Sequence, residues 1–351
     1  MKLGNKELDS ESARYIIAEV GVNHEGDLET AYKLIDAAKD GGADAVKFQT
    51  YKAESIAATD AVAYWDKNEE STESQFELFK KYDSFGKHEY RKLYEYCASK
   101  DIHFSSTPFD LEAVEWLDDL VPFFKVASAD ITNFPLLRAV GRKGKPVLLS
   151  TGASSLSEIK KALFELEKSG AEEICLMHCI LNYPTEPANA NLRMIQGLKK
   201  AFPRYTIGYS DHTRPDENML TLTIAAELGA QVIEKHFSLD KSLPGNDHYH
   251  SMDKQDLKLF IRNLNYLNLI HGVEDKNFLD SEVPSRENAR RSLHYGRDVE
   301  SGEVINESDL ISLRPATGIS PDQIDNFVGK RVKESKSRLE RIKLSDFEAQ
   351  N

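Results

Sequence analysis

Two histidines, His212 and His236, each close a short β-like run: YTIGYSDHT leads to the first and AQVIEKHF to the second. Ser210 and Asp211 precede one, Glu234 and Lys235 the other. Between them PDENMLTLTIAAELG carries an apolar face at helical spacing and stops at Gly229, so the stretch reads strand, helix, strand. In a parallel α/β fold the C-terminal ends of both strands open on one face, where two distant imidazoles can share a metal ion. The alternative is a pair of histidines that are merely hydrogen-bonded at strand ends. Two imidazoles are an incomplete metal site, to be filled by water, substrate oxygens or a carboxylate. Nitrogen and oxygen donors suit manganese, zinc or iron, and magnesium less well.

Such groups need a frame to hold them. Buried-strand candidates recur at 15–22, 44–49, 102–106, 123–127, 146–150, 173–178, 205–210 and 231–236, most of them followed by an amphipathic helix. Eight such units predict a closed (β/α)8 TIM barrel. A doubly wound sheet is the alternative, disfavoured because no GxGxxG turn follows the first strand. Residues 51–85 break the rhythm, mixing charges with Tyr64, Trp65 and Phe79, and predict a helix from about Ser74 to Lys81. They read either as a solvated excursion or as a cover over the barrel mouth. The barrel domain is expected over 1–272 and a charged, irregular linker over 273–290. A small, mostly β domain follows over 291–351, with Gly296, Gly302, Gly318 and Gly329 as punctuation. So small a domain is expected to need the barrel or a second subunit as packing surface.

The 351 residues accommodate that arrangement, and 40% hydrophobic content supports a substantial core. Forty-five basic against 58 acidic residues leave a net charge of −13 with no long basic tract, which argues against nucleic acid as a partner. The three cysteines, Cys97, Cys175 and Cys179, match no disulfide or thiolate framework, and core packing is expected for Cys175 and Cys179. No apolar run suits a signal peptide or a membrane span, so a cytoplasmic location without membrane association is expected.

Polar residues gather where the strands end. Strand one offers Glu19, then Asn23 and His24; strand two, Lys47 and Gln49; strand three, Ser105, Ser106 and Thr107. Strand four brings Lys125, Ser128 and Asp130; strand five, Ser150 and Thr151; strand six, Asn182 and Tyr183; the last two, Ser210, His212, Lys235 and His236. Lys47 and Lys125 inside apolar strands are costly unless each meets an anion or a paired acid. Both beside several hydroxyls suggest a phosphate and carboxylate pocket; salt bridges to Glu19 or another barrel acid are the plain alternative. Gly152 would let backbone amides cradle a phosphate at the next helix. Glu158 is placed to cap that helix. Glu19 or Asp130 could move a proton or orient water, or simply pair with a lysine.

The segments IIAEVGVNHEGD, GADAVKFQTYK, SSTPFD, KVASADITNFPLL, KPVLLSTGAS, MHCILNYPTEP, IGYSDHT and VIEKHFSLDKSLPGNDH, in this order, resemble the sialic acid synthase family, which makes N-acetylneuraminic, legionaminic and pseudaminic acids. ARRSL and SLRPATG resemble its C-terminal antifreeze-like, or SAF, domain. The resemblance implies a barrel plus SAF domain in a domain-swapped homodimer. The implied reaction is metal-dependent condensation of phosphoenolpyruvate with an N-acylated amino sugar. By position, His212 and His236 resemble the metal ligands, usually for Mn2+, with Mg2+ or another divalent ion as the alternative. Lys47, Thr107, Lys125, Ser128, Ser150 and Ser210 resemble the phosphoenolpyruvate pocket, and Glu19 the residue handling water or a proton. Gln49, Tyr183 and Asp247 resemble sugar contacts, and Arg314 an arginine lent across the dimer. Departures fall at Ala129-Asp130, where the common form is Gly-Glu, at Leu181, and at Gly245-Asn246-Asp247, so the acceptor sugar stays open. Two other readings are an aldolase or hydrolase that releases no phosphate, and a noncatalytic carbohydrate-binding protein.

Overall fold

The computed structural model describes residues 1–8, 13–63, 65, 67, 70–245 and 247–348; Tyr64 and Asn246 lie outside them. The chain divides into two units, Met1–Gly272 and Val273–Asn351.

Eight parallel strands form the first unit: β1 Tyr15–Gly21, β2 Ala45–Thr50, β3 His103–Pro108, β4 Phe124–Val126, β5 Val147–Ser150, β6 Ile174–Cys179, β7 Thr206–Asp211 and β8 Val232–His236. Their order is β3-β2-β1-β8-β7-β6-β5-β4, so every neighbour but one is consecutive and β1 pairs with β8. The edge strands β3 and β4 lie alongside each other without a ladder, nearly closing the barrel. Helices follow the strands: α1 Leu28–Gly41, α2 Lys87–Ser99, α3 Leu111–Leu117, α4 Phe134–Gly141, α5 Leu156–Ser169, α6 Arg193–Ala201, α7 Leu220–Glu227 and α8 Lys254–His271.

Side chains alternate across each strand, and this period decides which residues reach the interior. In β1, Ile16, Ala18 and Val20 join the large apolar layer shared with α1, while Tyr15 and Ile17 join a separate inner cluster. That inner cluster also takes Ala45, Phe123, Leu148, Cys175, Met177 and Val232, with Leu3 and Leu8 from an N-terminal hairpin. The inward positions of β1 therefore run Tyr15, Ile17, Glu19; those of β2, Ala45, Lys47, Gln49; those of β8, Val232, Glu234, His236. In each case an apolar residue is replaced by polar ones toward the C-terminal end. The barrel is thus a dry core on one side and a polar chamber on the other.

Local signals fix the connections. Ser155 and Glu158 form a reciprocal capping box at the start of α5. The excursion contains Gln75–Tyr82 as a helix capped by Ser74, whose Oγ accepts from the Glu77 amide.

The second unit has its own small core, with Leu293, Tyr295, Val299, Ile305, Phe327, Val332 and Ile342 buried around the antiparallel pair Ser292–Tyr295 and Leu310–Leu313. The segment expected as an irregular linker instead carries a 3-10 turn, Asp280–Glu282, and a short helix, Val283–Ala289. Pro284 in the first helical turn sits where its missing N–H costs no hydrogen bond. Among the described residues no helix is long and apolar enough to cross a membrane.

Candidate active site

Barrel register brings distant residues into one layer. Glu19 is level with Lys47 on β2 and with His236 on β8, Lys47 with Ser105, Gln49 with Thr107, and Glu234 with Ser210. From this layer grows a buried charge network. The Lys47 ammonium pairs with the Glu19 carboxylate, donates to Thr107 Oγ1 at 3.0 Å and lies 4.0 Å from Glu234. Lys125 donates to Glu234 Oε1 at 2.9 Å, and Ser210 Oγ donates to the same oxygen at 3.0 Å. Gln49 Nε2 donates to Glu19 Oε1 at 3.0 Å. Gly21 has φ +56°, and a Cβ there would come within 3.0 Å of Glu19 Oε1 and 3.2 Å of Gln49 Nε2, so glycine allows this close packing.

The two acids in this network differ. Burial raises the Glu19 carboxyl above its ordinary range despite the opposing Lys47 charge. Burial also acts on Glu234, but Lys125 and Lys47 together override it and hold that carboxyl well below the usual range. Reciprocally, Glu234 outweighs burial at Lys125 and raises its ammonium pKa. Glu234 is thus the fixed counter-charge of the lysines, and Glu19 the more easily protonated group. Two hydroxyls, Ser105 Oγ and Ser150 Oγ, are buried without a hydrogen-bond partner. An oxyanion seated in the cavity would satisfy Ser150, which lines it.

Beside the network stands an imidazole cluster. His212 Nδ1 lies 2.7 Å from the Ile180 carbonyl; a proton on that nitrogen donates to the carbonyl and leaves the Nε2 lone pair available. The His212 and His236 rings are 5.4 Å apart, and the Tyr183 ring lies 4.2 Å from His212 at a tilt of 39°. His236 Nδ1 lies 3.2 Å from Asp247 Oδ2. Burial would raise the Asp247 carboxyl, but His236 and its neighbours more than offset this and hold it well below the usual range. The histidines and Asp247 fit a divalent cation, since they offer imidazole nitrogens and a carboxylate in a buried setting.

These groups line one cavity of about 360 Å3. Glu19, Lys47, Gln49, Thr107, Lys125, Ser128, Asp130, Ser150, Tyr183, Ser210, His212, His236 and Asp247 all reach it. Arg314 belongs to the second unit, where it is exposed just after the strand Leu310–Leu313. Asp130 ends a 3-10 turn, accepts from Asn133 Nδ2 at 3.0 Å, and has its carboxyl raised by burial. The excursion is part of the wall: Ile56, Trp65, Glu70, Leu78, Phe79 and Tyr82 face the cavity.

Other strand-end residues do structural work. Lys235 points away from the chamber, alternating with Glu234 and His236, and donates to Asp211 Oδ2 at 2.6 Å and to the Thr213 carbonyl at 2.5 Å. Ser106 is paired with Thr50 at 2.6 Å, and Thr151 Oγ1 donates to the Met177 carbonyl. Asn23 Nδ2 braces the Phe237 carbonyl at 3.0 Å, and His24 stacks on Phe85. The Gly152 amide donates to Ser128 Oγ at 2.9 Å and so serves that turn rather than a free anion cradle. Cys175 packs in the inner core as expected, whereas Cys179 lines the cavity with Sγ 3.8 Å from His212 Nδ1.

Sequence reading treated Glu234 only as polar company for His236, although its place two residues earlier puts it on the same inward face. It missed His250 altogether. His250 sits in a 3-10 turn, His248–His250, on a loop that folds back: the Met252 amide donates to the His236 carbonyl at 2.8 Å. Nothing in local spacing announces that return.

The NeuB family profile matches residues 34–276 and the SAF domain profile residues 290–348. The chain belongs to the NeuB family. It is 39% identical to an N,N'-diacetyllegionaminic acid synthase of Legionella pneumophila, over 94% of this chain and 93% of that protein. It is 41% identical to the synthase of the same name from Campylobacter jejuni, over 90% and 94%. The solved structure of N-acetylneuraminic acid (sialic acid) synthetase from Leptospira borgpetersenii shares 35% identity with a TM-score of 0.70, covering 81% of this chain and 94% of that one. This NeuB chain is therefore an enzyme of the sialic-acid-type synthase class, built as a barrel with a C-terminal SAF domain.

Proposed function

We propose that this NeuB-family enzyme condenses phosphoenolpyruvate with an N-acylated amino sugar to give a nine-carbon 2-keto sugar acid and phosphate. The carrying observation is the cavity itself: two buried lysines, partnered by acids of opposite protonation tendency, adjoin an imidazole cluster. Lys47 and Lys125 would hold the donor's phosphate and carboxylate, with Thr107, Ser128, Ser150 and Ser210 supplying hydrogen bonds. Donor C3 attacks the aldehyde carbon of the open-chain sugar, and water adds at C2. The C2–O bond to phosphate then breaks, leaving the ketone. Glu19, raised toward protonation, is assigned the proton transfer at the attacking water or the new hydroxyl. Asp130, at the sugar side, is assigned a contact to the acceptor, as are Gln49, Tyr183 and Asp247. His212 and His236 would hold a divalent ion, with Mn2+ favoured, which when bound polarises the acceptor carbonyl. Arg314 is assigned to the acceptor site of a second copy in a homodimer.

The acceptor we favour is a 2,4-diacetamido-trideoxyhexose. The excursion supplies an apolar wall in which Tyr51 and Phe79 pack at 5.3 Å, suited to methyl and acetyl groups rather than hydroxyls. Two relatives named legionaminic acid synthases, at 39% and 41% identity, support the same choice. Phe79→Ala is expected to raise KM for this acceptor about tenfold, the range for losing an apolar contact, while the donor KM changes by less than about twofold. Equal changes in both would remove the wall from acceptor recognition.

Phosphate release from phosphoenolpyruvate, with Mn2+ and each of N-acetylmannosamine and the diacetamido sugars, tests the reaction. Acceptor-dependent release with a product of the summed mass, abolished by chelator and restored by Mn2+, is expected. A product formed without phosphate release would favour the aldolase or hydrolase reading. Sugar binding by the SAF domain with no turnover would favour the noncatalytic one.

A further inference from the structure

His250 is completely buried, yet neither ring nitrogen has a hydrogen-bond partner. Its nearest carboxylate oxygen, Asp247 Oδ1, is 3.8 Å away, too far for a hydrogen bond. Leaving even one such buried polar atom unsatisfied is destabilising. The His236 ring lies 4.7 Å away, and its Nδ1 also lacks a well-aligned hydrogen bond, although Asp247 Oδ2 is close. Ligating atoms of His236, Asp247 and His250 all lie within 4.8 Å of one another, which no other group of three or more His, Cys, Asp or Glu among the described residues achieves.

The turn carrying His250 is anchored on both flanks. His248 Nδ1 pairs with Ser238 Oγ at 2.7 Å, Ser251 Oγ donates to the Asp247 carbonyl at 2.6 Å, and Tyr249 OH donates to the Tyr183 carbonyl at 3.1 Å. These bonds fix the turn, and the imidazole at its centre keeps both nitrogens unspent, so that one is open to a cation.

We infer that His250 is a further nitrogen ligand of the divalent cation, joining His212 and His236 beside Asp247. The inference rests on the metal-dependent reading above. A third imidazole changes the chemistry of the centre. Nitrogen donors favour Co2+ and Zn2+, whereas oxygen-rich sites suit Mn2+ and Mg2+. This enzyme therefore takes Co2+ or Zn2+ more tightly than a centre with two imidazoles would.

The test uses the full-length protein, stripped with chelator and titrated with Co2+ and with Mn2+ by calorimetry and visible absorption. His250→Phe and His250→Asn are expected to weaken Co2+ binding by at least about tenfold and to change its absorption bands, with a smaller effect on Mn2+. Pulsed electron paramagnetic resonance on the Mn2+-loaded wild type, which needs no variant to fold, is expected to count three imidazoles. Two imidazoles in the wild type, or Co2+ affinity within twofold in both variants, overturns the role of His250 and leaves the metal reading standing. A wild type that binds neither ion overturns both.

Discussion

Lys125→Met is expected to lower kcat/KM for phosphoenolpyruvate by about 10³-fold, because a buried, preorganised cation facing developing phosphate charge contributes several kcal/mol to the transition state. The same change has a structural cost. Lys125 is the 2.9 Å partner of Glu234, and without it that buried carboxylate keeps only Ser210 and the more distant Lys47. Breaking one side of a buried pair costs about 3 kcal/mol, and the melting temperature should fall by roughly 5–10 °C. The two effects separate in the double variant Lys125→Met/Glu234→Gln, which removes both charges. It should recover most of the melting temperature while phosphate release stays as low as in the single variant. Recovery of activity would mean that Lys125 serves only to hold Glu234, and that the donor is bound elsewhere.

The largest stability loss should come from outside the chamber. Asp211→Ala leaves Lys235, 1% exposed, without its carboxylate, and strips the Tyr209 hydroxyl and the Thr213 amide of their acceptor. The expected destabilisation is about 3–5 kcal/mol, or roughly 10 °C in melting temperature. Asp211→Leu with Lys235→Met, which replaces the pair by apolar groups, should return stability to within about 1 kcal/mol of wild type. Thermal and urea unfolding of the three proteins would measure this. A single variant melting within about 2 °C of wild type would show that the pair is not a buried charge couple in solution. The contrast with Lys125 is physical: one lysine lines the cavity, and the other is buried against Asp211 and the Thr213 carbonyl.

These lysines also show where the sequence was legible. Lys47 and Lys125 stand out in apolar strands because an unpaired ammonium there is prohibitively costly, so partners had to exist. Lys235 carries the same signal and does not reach the cavity. Composition marks both situations alike; only strand register separates them, since a shift of one residue reverses which face a side chain meets. Glu234 and Lys235 were adjacent letters with opposite destinations. The Gly152 amide was likewise visible as a turn but not as the partner of Ser128.

The eight strands and their helices were readable from apolar periodicity because burial on both faces of a parallel barrel leaves a strong local pattern. The motif order then carried the family, the barrel-plus-SAF architecture and the polar strand ends. What local pattern cannot hold is a meeting between segments far apart in the chain. The excursion became a cavity wall, and the loop after β8 doubled back to lay His250 against His236, through packing and backbone hydrogen bonds that no neighbouring residue encodes. Strand chemistry was set by alternation along the chain; the cover of the chamber and the placing of His250 against His236 were set by tertiary contact alone.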